Sequence, residues 1–511
     1  MGIPYYFYKL REKYRKIIIE SEKKSVDYLF FDFNSLLHPS SAEYLKTSEN
    51  ETTLEMDIAS IKYSLEYTME IIERVNPVCG VWIVLDGVAP MAKMKQQRQR
   101  RFKSYYIEKR GIKWDSNKIT PGTKYMYKLD EMLNNFIDNL NKEAIKNGIT
   151  RVYNYNSWLK NGEGEHKIYK ILKELSIESK SVYIYGMDAD LIVLSLLNDK
   201  NDITLFRDKS MDVESVELVD IGLLRGYIIE DLRGSRLYRE MDMKRLVNDY
   251  ILLMCFMGND FLDNVPTLSI LDGGLDIILD IYRKNKEYIT KIENGIVVID
   301  YRVLLKILYK LETSELYVYK KWCNKVVKFK DDIQVLENND NIIVYNDKSI
   351  LSGNARENIS EVKNRYYIFY DIWNISDCCE SYKRGLEWIM GYYNGHSHNN
   401  WSYVYNHSAS PFISDIIEYI RENIKSSIVF KETKPVEPIE QLLIVLPRET
   451  LASKDLLGDN DYEKIKRVLN IESIDKYFDK KMAIDYINKD VIWKGRVFLD
   501  IIKDVDIKSL L

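Results

Sequence analysis

An apolar, aromatic-rich run from Val26 to Phe33, with Asp32 near its end, predicts a buried strand. A second run, Cys79 to Leu85, ends in Asp86-Gly87. A third, Ile149 to Tyr155, leads to Gly162-Glu163-Gly164-Glu165, and a fourth, Val182 to Gly186, is followed by Asp188-Ala189-Asp190. Helical stretches such as Leu54 to Val75 and Lys124 to Lys146 separate these runs, so strand and helix alternate. The alternation predicts an α/β fold, a largely parallel central sheet with helices on its faces. In such sheets the ligand crevice lies beyond the carboxyl ends of the strands, which is where each of these acids falls. The expected result is one acidic crest.

A later apolar helix, about Met243 to Met257, ends at Gly258, a candidate left-handed cap, and releases Asn259-Asp260-Phe261 so that Asp260 can join the crest. From residue 331 to 361 the chain turns polar and Asn-rich, which reads as a linker or surface excursion. Beyond it, residues 362–511 are rich in aromatics and carry Pro435, Pro438 and Pro447. An ordered wrap over the first region suits them better than a free-standing bundle. The expected organisation is therefore 1–330 with the crest, 331–361 as connection, and 362–511 enclosing the site.

Composition narrows the partners. Lys plus Arg is 74 and Asp plus Glu is 78, a net charge of −4, so a globally basic nucleic-acid coat is excluded and any polyanion-binding surface is local. The longest apolar run, Ile251 to Met257, falls far short of the roughly 18 residues that span a bilayer, and a soluble protein without a membrane partner is expected. Cys79, Cys255, Cys323, Cys378 and Cys379 form no C-x-x-C pair and no regular framework, which fits a reducing compartment and speaks against zinc. The start, Met-Gly-Ile-Pro-Tyr-Tyr, has no secretory pattern.

Asp32, Asp86, Glu163, Glu165, Asp188, Asp190 and Asp260 are more carboxylates than a general acid–base pair requires. Gathered at one crest they repel each other, and hard divalent ions with oxygen ligands are the natural remedy. Two such ions about 3.5–4 Å apart form the clamp used for in-line displacement at phosphorus. Taken singly, each acid has a plainer reading: a helix N-cap for Asp32 or Asp188, a turn for Asp86-Gly87, a solvated loop position for Asp260. Their joint occurrence after successive strands favours metal.

After Asp86 and Pro90, residues 93–103 hold six Lys or Arg and no acid. On a helix begun at Pro90, Lys93, Gln97, Arg100 and Arg101 fall at i, i+4, i+7 and i+8 and share a face. Three cations and an amide converging beside Asp86 make a pocket for a terminal phosphate, with Arg offering a fork that fits it bidentately. The plainer reading of such a face is solvation.

Long strings of the chain resemble the Xrn family of 5′→3′ exoribonucleases. They are Met-Gly-Ile-Pro at the start, Phe-Asp-Phe-Asn-Ser-Leu-Leu-His at 31–38, Asp-Gly-Val-Ala-Pro-x-Ala-Lys-Met-x-Gln-Gln-Arg at 86–98 with Arg100-Arg101-Phe102, Asp-Ser-Asn-x-Ile-Thr-Pro-Gly-Thr at 115–123, Gly-Glu-Gly-Glu-His-Lys-Ile at 162–168, Asp-Ala-Asp-Leu-Ile at 188–192 and Gly-Asn-Asp-Phe-Leu at 258–262. Segments around Tyr382 to Trp388, Tyr392-Tyr393, Glu440 to Pro447 and Trp493 to Gly495 resemble the family's second conserved region. The resemblance implies a PIN/FEN-like nuclease core at 1–330. The seven acids would hold two Mg²⁺ ions, with Mn²⁺ as a substitute, and Lys93, Gln97, Arg100 and Arg101 would bind the 5′-monophosphate of single-stranded RNA. It also implies base stacking by His38 and Trp401, the latter with a core aromatic as its plainer reading. Stacking is sequence-tolerant and so suits a processive enzyme.

The chain departs from the family pattern at His398-Asn399-Asn400-Trp401, where one Trp of Ser-Trp-x-Trp is missing, at Asp263-Asn264 in place of Pro-His, and at Met91 in place of a basic residue. Without the long extensions of cellular members, a minimal and viral form is expected. The implied activity is processive, metal-dependent hydrolysis of decapped RNA to nucleoside 5′-monophosphates in the cytoplasm, the host's if viral, coupled to a decapping enzyme, with the nucleus also open. The alternatives are a flap-type DNA nuclease and an inactive RNA-binding scaffold in RNA turnover.

Overall fold

In the computed structural model, the described residues are all except 1, 2, 4, 21–24, 48–52, 109–113, 176, 177, 209, 210, 213, 214, 235–241, 324–329, 353–356, 396–399, 425–429, 479, 480, 488, 490, 501, 504–506 and 508–511. Seven strands form the central sheet: β1 (Ile18–Ile19), β2 (Tyr28–Asp32), β3 (Gly80–Val84), β4 (Val152–Asn156), β5 (Ser181–Tyr185), β6 (Asp202–Asp208) and β7 (Val216–Asp220). Their order is β1-β7-β6-β5-β2-β3-β4. The block β6-β5-β2-β3-β4 is parallel throughout, as the alternation predicts, while β7 and β1 add an antiparallel edge. The expected helices Leu54 to Val75 and Lys124 to Lys146 are present as Thr53–Val75 and Lys124–Lys146.

Period-two alternation splits the strands between two cores. Leu29, Phe31, Val81 and Ile83 face the helices Phe33–Thr47, Thr53–Val75 and Lys124–Lys146. Phe30, Val84, Val182 and Ile184 face the opposite side, where helices Gly164–Glu174, Ala189–Leu197 and Met243–Cys255 lie. The chain steps from β2 outward through β3 and β4, then returns to place β5 on the other side of β2. That reversal is the switch point at which open α/β sheets form their crevice.

The hairpin β8 (Thr290–Glu293) and β9 (Ile296–Ile299) is followed by the second region. The polar stretch 331–361, expected as a linker or surface excursion, holds structure of its own. It contains most of the helix Lys330–Glu337 and the strand β10 (Ile342–Tyr345), which pairs in parallel with β11 (Met482–Asp485), itself antiparallel to β12 (Arg496–Phe498). Ile333, Leu336 and Ile342 enter a core with residues 436–507, and this core also takes in Val88, Ala89, Met91, Met94 and Phe102 of the first region. A polar composition hid this strand because one face of a three-stranded sheet suffices to bury it. Among the described residues, no helix is long and apolar enough to cross a membrane.

Candidate active site

The crest forms where the strand ends converge. Asp32 ends β2, Asp86 follows β3, Glu163 and Glu165 open the helix after β4, and Asp188 and Asp190 open the helix after β5. Asp260 comes from the turn beyond Met243–Cys255. There Gly258 takes the left-handed φ of 84° expected of it, and a Cβ would lie 2.7 Å from the Asn264 nitrogen. Asp188 and Glu163 occupy N-cap positions but make no capping hydrogen bond, so the plain capping reading does not describe their side chains.

The acids divide into two groups. Asp32, Asp86 and Glu165 each present an oxygen, all within 4.8 Å of one another. Ser35 Oγ donates to Asp32 (2.6 Å), and the Gly164 amide donates to Asp86 (2.6 Å). Gly164 lets the backbone come this close, since a Cβ there would lie 2.9 Å from Asp32 Oδ1 and 3.2 Å from Asp86 Oδ1. Burial, then Asp86 and Asp188, pushes the Asp32 carboxyl well up from its ordinary value, and burial followed by Glu163 does the same to Glu165. An all-oxygen set under mutual repulsion, cradled by a glycine, fits a hard divalent ion.

The second group surrounds Lys93. Its ammonium lies 2.5 Å from Glu163, 2.9 Å from Asp260 and 3.7 Å from Asp190. Burial alone would lower the Lys93 pKa, but Asp260, Glu163, Glu165 and Asp190 together hold it well above the usual value. Two hydroxyls from the second region complete the group: Tyr392 donates to Glu163 (2.6 Å) and Tyr393 to Asp190 (2.9 Å), both from the helix Ile375–Tyr393. Burial, then Asp260, pushes Asp190 up to about 7.

Lys93 belongs to the helix Met91–Glu108, and Pro90 directly precedes it as expected. Lys93, Gln97, Arg100 and Arg101 all line a cavity of about 1000 Å³ together with Asp32, Asp86, Glu163, Glu165, Asp188, Asp260 and His38. Asp190 does not line it. Gln97 Oε1 and Arg101 Nε are buried without a hydrogen-bond partner among the described residues. Burial, then Arg100, lowers Arg101 to about 9, so its charge persists at neutral pH and gains from an anion. Burial, then Arg100 and Arg101, presses His38 down to about 3, which keeps the imidazole neutral.

Trp401 does not line the cavity. It is half-buried; its carbonyl accepts from the Met91 amide (2.8 Å) and its own amide donates to Thr433 Oγ1 (2.7 Å), so it braces the start of the basic helix. Sequence reasoning missed the roles of Tyr392 and Tyr393, and of Lys167, whose buried ammonium donates to the carbonyls of Leu85 (2.8 Å) and Ser157 (3.1 Å) and ties together the loops that carry Asp86 and Glu163. The string Gly-Glu-Gly-Glu-His-Lys held the signal for Lys167, a lone cation beside crowded acids.

An α/β sheet that collects carboxylates at its switch point, with a cationic helix opening on the same cavity, sets oxygen ligands suited to a hard divalent ion beside fixed positive charge. Residues 1–209 match the family described as "XRN 5′-3′ exonuclease N-terminus", and residues 240–367 and 360–509 match "Xrn1 helical domain". The chain belongs to the Xrn 5′-3′ exonuclease family. The 5′-3′ exoribonuclease 1 of Schizosaccharomyces pombe is 25% identical over 659 residues, covering 99% of this chain and 48% of that protein. The human 5′-3′ exoribonuclease 1 is 26% identical over 595 residues, covering 99% and 34%. The 5′-3′ exoribonuclease 2 homolog of Drosophila melanogaster is 25% identical over 663 residues, covering 99% and 70%. The chain thus spans half or less of the length of the first two. These relatives are from yeast, human and fly, and the viral source expected for a minimal form is not borne out. Among solved structures, the catalytic core of Rad2 in complex with DNA (13% identity, TM-score 0.31, 67% of this chain and 82% of that one) and the bacteriophage T5 D15 flap endonuclease (13%, 0.26, 57% and 86%) are likenesses too loose to bear on fold or function.

Proposed function

We propose that this protein is a metal-dependent 5′→3′ exoribonuclease acting on single-stranded RNA with a 5′-monophosphate and releasing nucleoside 5′-monophosphates. One observation carries the reading: the carboxylate crest and the face of Lys93, Gln97, Arg100 and Arg101 open on one cavity. Divalent ions, Mg²⁺ or in its place Mn²⁺, would supply an activated water and stabilise the leaving oxygen. Asp32, Asp86 and Glu165 would hold one of them, and the acids around Lys93 would hold the other. Arg101 Nε offers an unmet donor to a terminal phosphate, the Gln97 amide NH₂ would add another, and exposed Arg100 adds charge at the same face. With the first nucleotide's phosphate seated there, the next phosphodiester lies toward the crest, and one nucleotide leaves per cycle. Neutral His38 on the cavity wall suits stacking on a leading base. Trp401 would serve the strand only indirectly, through the helix start it braces.

The DNA-flap alternative has no comparable support, since the relatives are named exoribonucleases. Decapped RNA is the natural source of 5′-monophosphate ends, and a functional coupling to a decapping enzyme follows. Cys79, Cys255, Cys323, Cys378 and Cys379 form no disulfide among the described residues, which favours a reducing compartment such as the cytoplasm.

The test incubates the protein with Mg²⁺ and matched RNAs bearing 5′-monophosphate, 5′-triphosphate or 5′-hydroxyl ends, beside an Asp188→Ala, Asp190→Ala double variant. Mononucleotide release from the monophosphate RNA alone, lost in the variant, is expected. Equal release from the 5′-hydroxyl RNA refutes the phosphate pocket, and no release from any RNA under Mg²⁺ or Mn²⁺ refutes the activity.

A further inference from the structure

The helix Met91–Glu108 carries three further cations, of which Lys95 and Arg98 turn away from the cavity and Lys103 stands at its wall. Arg98 is 1% exposed, and its fork reaches backbone carbonyls of three separate segments: Nε donates to Asp500 (2.9 Å), Nη1 to Ile444 (2.8 Å) and Nη2 to Tyr477. Its guanidinium lies 4.3 Å from the centre of the Phe102 ring and 5.5 Å from that of Phe478. On one side of it, Lys95 donates to the carbonyls of Tyr405 (2.6 Å) and His407 (2.8 Å). On the other, Lys103 donates to those of Ile492 (3.0 Å) and Gly495 (3.2 Å). Of the six cations between 93 and 103, four line the cavity and three grip the second region's main chain, Lys103 doing both.

A well-packed apolar residue of similar volume fills such a position at lower desolvation cost, so a buried guanidinium here suggests a geometric purpose. Five main-chain regions reading one helix through fixed forks set its rotation about its axis. Arg98 immediately follows Gln97 and lies three residues before Arg101, so any twist that loosens Arg98 swings the Gln97 amide and the unmet Arg101 Nε donor off the phosphate position.

We infer that Lys95 and Arg98 are positioning residues for 5′-end selectivity. Through them the second region holds the helix at the angle where Gln97 and Arg101 meet a terminal phosphate, so the phosphate preference is a property of the two regions together. This rests on the 5′-phosphate pocket proposed above.

The test uses the full chain with Arg98→Met, Arg98→Lys and Lys95→Met, Lys103 being left intact because it also lines the cavity. The Lys95 variant keeps it decisive if Arg98→Met does not fold. Three readouts are taken: KM and kcat on RNAs with 5′-monophosphate and 5′-hydroxyl ends, equilibrium binding of the same two RNAs in Ca²⁺ by fluorescence anisotropy, and Mn²⁺ binding by calorimetry without RNA. The expected result is a rise of about tenfold or more in KM and Kd for the monophosphate RNA alone, the scale of loss that a small misplacement produces. Values of kcat, 5′-hydroxyl binding and Mn²⁺ binding should stay unchanged, and Arg98→Lys should recover part of the loss. Folded variants that discriminate as the parent does overturn the inference, and so does an equal loss on both RNAs, which marks a merely structural role. A parent protein that does not distinguish the two ends overturns the pocket itself, and this inference with it.

Discussion

Replacing Lys93 by Met tests the electrostatics of the crest most directly. The ammonium lies within 4 Å of three carboxylates, and the side chains involved are only 10% (Lys93), 4% (Glu163), 3% (Asp190) and 6% (Asp260) exposed. Solvent screening of the kind that makes surface pairs nearly worthless is therefore absent. Removing one partner from a buried pair leaves an uncompensated charge and costs about 3–5 kcal/mol. Tyr392 and Tyr393 still donate to Glu163 and Asp190 in the variant, which places the expected loss at the lower end, about 3 kcal/mol. The assay is urea unfolding in EDTA and in excess Mg²⁺. A ligand that binds only the folded state at about 100 times its Kd adds about 2.7 kcal/mol. Because divalent ions take over the neutralising work of the lost ammonium, the variant should gain more stability from Mg²⁺ than the parent gains. A loss of under about 1 kcal/mol in EDTA, below the range for a broken buried pair, refutes the reasoning. An identical loss in both buffers refutes it equally.

Gly164→Ala places a methyl 2.9 Å from Asp32 Oδ1 and 3.2 Å from Asp86 Oδ1, so Mn²⁺ affinity measured by calorimetry should fall while the protein stays folded; an unchanged affinity removes the glycine from the account. Gly87→Ala is the harsher change, since its Cβ would stand 2.0 Å from the Lys160 carbonyl oxygen, and a loss of soluble folded protein is expected, checked by circular dichroism. Asp249, which accepts from Thr290, Ile289 and Tyr282, is pushed up by burial to about 6. Its folded pKa thus lies above the unfolded value of about 4, so its contribution to stability falls as pH rises from about 4 to about 6 and is constant above, a change of roughly 3 kcal/mol. Asp249→Asn should lack that slope in urea midpoints between pH 4 and 7, and parallel pH profiles would show the assignment to be wrong.

The strands that end in acid, the helices between them and the face shared by Lys93, Gln97, Arg100 and Arg101 were all legible in the sequence. Each depends on local periodicity and on a rule that sends parallel strand ends to one edge. The sequence therefore determined which chemistry this protein carries and where on the sheet it stands. It could not sort the seven acids into the Asp32, Asp86 and Glu165 group and the group around Lys93, because that division depends on side-chain reach across the assembled crest. Nor could it say what Lys95 and Arg98, left off that face by the helical spacing, would meet: only the docked second region supplies the carbonyls that take them up. Tyr392 meets Glu163 and Arg98 meets Asp500 across hundreds of residues of chain, and β10 finds β11 in the same way. Such pairings are set by the packing of whole elements against one another, a property that no local pattern records.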